Sequence, residues 1–216
     1  MQFIDFYNNP NIGLFFYTTN KITIVPTITP DKLVELIKAE LKTKVVMTDV
    51  YCTNVDNIFL TGNEEYLFAP TIISPDEKKC LETSGLKLVL IETTLNALGN
   101  NMVFHGNNAI INPHFEKKVV EQLEKLGFNV TKTTIAGIET VGANIVIMGD
   151  KALVNPDIKK DEIELVEKGL NLKLDFGTVN NGSKLVKSGL VVNKKGALVS
   201  SIMTGAEIMR IEEMLA

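Results

Sequence analysis

The chain has no tryptophan, two cysteines, two histidines and a single arginine, Arg210, among its 216 residues. Cys52 and Cys80 are too few for a disulfide framework and too far apart for a CxxC redox or zinc pair. With one arginine, a site built on planar guanidinium forks gripping phosphate is not expected. No apolar run reaches the ~18 residues a membrane span needs, and the segment Met1 to Phe6 carries neither a basic stretch nor an apolar signal core. These absences predict a soluble cytoplasmic protein with no membrane partner. No GxxxxGK[ST] or GxGxxG pattern occurs, so no nucleotide cofactor is expected. A net charge of −4 argues against attraction of the whole molecule to nucleic acid, but the average hides an imbalance. Lysines 168, 173, 184, 187, 194 and 195 face the lone acid Asp175, whereas 161–167 is mostly acidic.

What is present is a repeat. Five short segments, "ITIVP", "YLFAP", "AIINP", "ALVNP" and "ALVSS", close at positions 26, 70, 113, 156 and 201, a spacing of 43–45 residues. Each is a mostly apolar, β-forming run stopped by a residue that cannot extend a ladder. Upstream of each lies a second β-rich run, 13–18, 57–61, 101–105, 144–148 and 189–193, joined by a short polar turn such as Gly106-Asn107-Asn108. These are predicted hairpins.

Helix signals follow each closing residue. Ser74-Pro75-Asp76-Glu77 places a capping Ser, an N1 Pro and an N3 Glu in order, with Gly85 as a stop. Phe115, Val119, Leu123 and Leu126 lie on one helical face that ends at Gly127, and comparable faces occupy 30–41, 163–170 and 204–215. A further strand follows at 44–50, 86–93, 128–134 and 172–179, but the fifth unit ends without one. The N-terminal run 2–7 is its natural substitute. The sequence therefore predicts one α/β domain over 1–216. Its five ββαβ units, approximately 8–50, 51–94, 95–135, 136–180 and 181–216, form a ring closed by strand 2–7, which removes open sheet edges. Gly13, Gly99 and Gly142 recur 13 or 14 residues before their prolines, where backbones are expected to pass too closely for a side chain.

Catalytic chemistry finds little purchase. His105 and His114 fall in one unit, at a strand end and a helix start, with no Cys or acid at metal-ligand spacing, so neither a metal nor a cofactor is expected. The stretch from Gly177 to Ser183 precedes a strand instead of a helix and reads as a turn. A ring of five ββαβ units resembles the pentein fold, whose enzymes modify guanidino groups. That resemblance implies a Cys nucleophile near the C-terminus and a His, yet the last cysteine here is Cys80 and the last histidine His114. A guanidine-modifying hydrolase or amidinotransferase is thus the disfavoured alternative.

Four segments, "NNPNIGLFFYTTN" (8–20), "ALGNNMVFHGNNAIINPH" (97–114), "TVGANIVIMGDKALVNP" (140–156) and "FGTVNNGSKLVKSGLVVNKKGALVSS" (176–201), resemble the archaeal and eukaryotic translation initiation factor 6 family. The match runs along the whole chain and is thinnest over 50–85. Its short C-terminus looks archaeal. The resemblance implies a non-enzymatic, monomeric pentein that binds the large (50S) ribosomal subunit, at a uL14-type protein near the sarcin–ricin loop of the large rRNA. There it would sterically prevent joining of the small (30S) subunit, with a role in initiation or subunit biogenesis. It points to Asn63 and Asn100 as contact residues, and repeat analogy adds Asn144 and Asn9. Lys184, Lys187, Lys194 and Lys195 form a second candidate surface, facing rRNA. For each Asn beside a Gly the competing reading is local turn chemistry.

Overall fold

The computed structural model describes residues 1–215. Strand β1 (Gln2–Ile4) opens the chain, and the first unit follows as β2 (Tyr17–Thr18), β3 (Ile22–Val25), α1 (Asp31–Leu41) and β4 (Lys44–Met47). The second contains α2 (Asp56–Phe59), β5 (Thr61–Gly62), β6 (Tyr66–Pro70), α3 (Pro75–Glu82) and β7 (Lys87–Ile91). The third contains α4 (Leu98–Asn101), β8 (Met102–His105), β9 (Asn108–Ile111), α5 (Lys117–Lys125) and β10 (Asn129–Lys132). The fourth is β11 (Ile145–Met148), β12 (Lys151–Val154), α6 (Lys160–Leu170) and β13 (Lys173–Phe176), and the fifth β14 (Leu190–Asn193), β15 (Gly196–Ser200) and α7 (Gly205–Leu215).

Five three-stranded sheets result. In each, the second strand is central, antiparallel to its hairpin partner and parallel to the strand that returns after the helix, as a crossover requires. In the fifth sheet the returning strand is β1, which pairs β15 in parallel through Gln2↔Leu198, Phe3↔Val199 and Ile4↔Ser200. The ring is closed by the N-terminus, as the sequence predicts. The seam is pinned by the Met1 ammonium, 2.7 Å from Glu40 of α1.

The short helices α2 and α4 lie at the ring axis, whereas α1, α3 and α6 each pack against two sheets. Helix α6 contacts β13 of its own unit and β9 and β10 of the preceding one, while α1 contacts β4 and, across the seam, β15. Ile110 of β9 thus shares one core with Val166 and Leu170, and Leu198 of β15 with Ile37 and Leu41. Each such fully buried aliphatic contributes about 1.5–3 kcal/mol. The predicted capping box is formed: the Glu77 N–H donates to Ser74 Oγ at 3.2 Å and the Ser74 N–H to Glu77 Oε2 at 2.7 Å.

Two predicted strands are shorter than expected. Residues 13–18 begin as a 3-10 turn, Ile12–Leu14, and 57–61 begin as α2, because their amides are spent locally: Phe15 N–H on Ile12 O and Leu60 N–H on Asp56 O. The returning strands β4, β10 and β13 end early too, since each runs into a tight turn, such as Val50↔Thr53, with Tyr51 and Cys52 left-handed between them.

Candidate functional site

The entry segments of the five units meet at the ring axis. Superimposing the repeats puts Gly13, Asn57, Gly99, Gly142 and Lys187 at one position. A Cβ on Gly142 would lie 2.3 Å from Gly99 O, and one on Gly99 2.1 Å from Asn57 O, so the backbones stack as the glycine spacing predicts. Asn57 and Lys187 carry side chains and close the axis with them. Asn57 Nδ2 donates to Gly13 O at 2.6 Å, and Lys187 Nζ donates to Asn57 O at 2.9 Å and Gly99 O at 2.7 Å. Burial pulls the Lys187 ammonium down to about 7.

Above this floor the first strands line a channel of about 140 Å³ that widens toward the hairpin turns into a mouth of about 460 Å³. Beside the floor, the position preceding each axial residue is Ile12, Leu98, Val141 or Val186, all fully buried, but in the second unit it is Asp56. Neither Asp56 carboxylate oxygen has a hydrogen-bond partner. Burial first, then Asp49, push its pKa up to about 9 against an opposing pull from the Val50 N–H, with a smaller upward push from Glu77.

The entry turns are clamped from below by carboxylates 25 residues downstream. Glu162 accepts from Thr134 Oγ1 and from the Ala136 and Gly137 N–H groups, and Glu207 from Thr178 Oγ1 and the Asn181 and Gly182 N–H groups. Burial alone would raise the Glu162 pKa, but the donors, led by Thr134, outweigh it and hold the carboxyl below its ordinary value. Leu33 stands at the corresponding place in the first unit.

The candidate residues scatter. Asn100 follows the axial Gly99 at the closed end and is half-buried, as are Leu14, Ile58 and Ala143, the residues that follow the axial position in three other units, and its side-chain amide has no partner among the described residues. Asn63 lies at the mouth, with its Oδ1 accepting the Glu65 and Tyr66 N–H groups and its Nδ2 donating to Gly106 O at 2.8 Å. Asn9 takes the Asn11 N–H and closes the Phe6–Asn9 turn. Asn144 is corrected: it is fully buried, donating to Thr140 O and accepting from Asn155 Nδ2, and its counterpart is Asn101, not Asn100. Asn101 makes the same pair of bonds, to Ala97 O and from Asn112. The repeat register slips by one because Asn101 and Asn144, each two residues after its axial glycine, reach back four residues to a carbonyl, whereas the residue between is Asn100 in one unit and Ala143 in the other.

The lysines form no single surface, a second correction. Lys187 plugs the axis, Lys184 pairs with Asp157, Lys194 stands at the mouth, and Lys195 is bonded to Asn20 O and Lys42 O. Lysine has a long, flexible stem, so neighbouring positions in sequence discharge to different levels of the ring. His114 is exposed against Glu139, and His105 Nδ1 is bound to Leu170 O. The roles of Asn57, Asp56 and the clamping glutamates were missed by sequence reading. The 25-residue spacing and the column of axial positions could have found them.

Known proteins place this architecture. A family model described as the eIF-6 family matches residues 1–214. Translation initiation factor 6 of Sulfolobus acidocaldarius is 33% identical over 97% of this chain and 96% of that protein. The namesake from Saccharolobus solfataricus is 36% identical over 100% and 98%. Among solved structures, DDAH from Pseudomonas aeruginosa superimposes with a TM-score of 0.52 at 9% identity, over 82% of this chain and 71% of that one. The N-terminal domain of ArgZ does so at 0.53 and 12%, over 87% and 72%. These two share the pentein ring and nothing closer. The chain belongs to the eIF-6 family of translation initiation factors.

Proposed function

We propose that this protein binds the large ribosomal subunit through the closed end of its ring and blocks joining of the small subunit by occupying the space between them. The observation that carries the reading is Asn100: an uncommitted, half-buried amide at a ring position that Leu14, Ile58 and Ala143 fill with apolar side chains in three other units. An apolar surround that excludes water strengthens a hydrogen bond at its centre, which is how protein interfaces concentrate affinity. A uL14-type ribosomal protein is the partner such a patch suits, with the sarcin–ricin region of the rRNA beside it. Lys184, exposed on the segment leading to the same end, is available to rRNA phosphates at the cost of its pair with Asp157. The role is steric and needs no catalysis: neither Cys52, exposed on a turn, nor Cys80, donating to Met47 O, lines the axial channel.

The test is a gradient. Purified archaeal large and small subunits are mixed with the protein, and its sedimentation and the fraction of joined ribosomes are followed together. The protein is expected to travel with the large subunit and to lower joining in proportion to occupancy. Asn100→Asp should weaken both by tenfold or more, the size of one buried, charged mismatch, with an unchanged melting temperature. Equal sedimentation of variant and wild type would remove Asn100 from the interface, and unimpeded joining at full occupancy would end the steric reading.

A further inference from the structure

We propose that the axial channel is a binding site for a small monovalent anion of the halide class, seated on the Lys187 ammonium. Two of the three ammonium N–H groups are used, on Asn57 O and Gly99 O, leaving one donor. No carboxylate lies within 4.0 Å of it among the described residues, in contrast to Lys184, Lys87 or Arg210. A half-buried cation partly withdrawn from water without a counter-charge is costly, and a protein answers by shedding the proton or supplying the charge. Backbone carbonyls supply only partial charge. The depressed pKa of Lys187 expresses that deficit, and an anion beside the ammonium would cancel it.

The channel selects the kind of anion. Its volume of about 140 Å³ is room for roughly four or five water-sized occupants. Above the floor the channel is lined in part by the half-buried apolar residues Val103, Val146 and Ile147. Such walls favour a weakly hydrated, singly charged ion over one that must keep its water. Glu64 and Glu65 stand at the mouth and oppose a dianion such as phosphate or sulfate. Tyr17 lines the same channel further from the floor, its buried hydroxyl without a partner beside Gly62.

The experiment is thermal unfolding at constant ionic strength, with sodium gluconate, too large to enter, replaced stepwise by sodium chloride or bromide. The wild-type melting temperature is expected to rise by at least about 3 °C at saturation, because a ligand bound only by the fold stabilises it. Lys187→Met keeps the stem and removes the charge, and its melting temperature should not respond. Bromide-soaked crystals of the wild type should show an anomalous peak within hydrogen-bonding reach of Lys187 Nζ. That measurement decides the matter even if the variant does not fold. A flat wild-type response, an equal response in Lys187→Met, or bromide found only outside the channel would overturn the proposal.

Discussion

Replacing Asp56 with valine should make this protein more stable, by an amount that grows with pH. The equivalent places in the fourth and fifth units are Val141 and Val186, both fully buried, so the fold already accepts valine there. The Asp56 carboxyl titrates at about 9 in the fold against an ordinary 3.8. Between those values the folded state holds a proton that the unfolded chain has released. Stability from this group is therefore complete below pH ~4 and is lost as pH rises toward 9. At about 1.36 kcal/mol for each pH unit, the three units separating 3.8 from pH 7 give a ceiling of about 4 kcal/mol. That is a large part of the 5–15 kcal/mol typical of whole domains. Urea unfolding of both proteins at pH 5, 7 and 8 measures it. The advantage of Asp56→Val should be about 1–2 kcal/mol at pH 5 and should roughly double or more by pH 8. A difference that stays constant with pH, or a variant less stable at pH 8, would refute a buried carboxyl without donors.

Other changes are expected to run in the opposite direction. Glu162→Gln should cost about 1–3 kcal/mol near neutral pH by weakening the clamp on the Ala136–Gly137 turn. Because the fold holds this carboxyl below its ordinary value, the loss should shrink as pH falls below about 4.5 and the wild type protonates, as acid titration of urea midpoints would show. Gly142→Ala would force a Cβ to 2.3 Å from Gly99 O and should lower the melting temperature by ten degrees or more, at an expected cost above ~4 kcal/mol. Gly205→Ala at the start of α7 meets nothing within 4 Å and should instead gain about 0.5–1 kcal/mol, measurable by calorimetry.

The ring and its closure were legible in the sequence because they rest on periodic features. Four-residue apolar runs recur every 43–45 positions, and the strand missing after α7 has one unclaimed candidate at the other end of the chain. Boundaries were less legible. The entry segments carry β-forming residues, but their amides are consumed in turns at the axis, a tertiary demand that local propensity does not report. Asn100 was found through resemblance, and Asn144 was misplaced with it, because two consecutive asparagines, Asn100-Asn101, look alike in sequence and differ by facing out or in. The lysines illustrate the same limit: closeness along the chain says nothing about which level of a ring a flexible stem will reach.

The seam between β1 and β15 bears on how the protein is made. Strand β1 has no partner until nearly 200 further residues have followed it, since Gln2 pairs with Leu198. Four sheets can assemble from neighbours as the chain lengthens, but the fifth waits for both termini, giving the fold its longest-range contact at its last step. A chain truncated before β15 would leave β1 as an unpaired apolar edge and α1 with one of its two supporting sheets missing. An incomplete copy therefore carries an exposed strand, and only a chain that includes both β1 and β15 closes the ring.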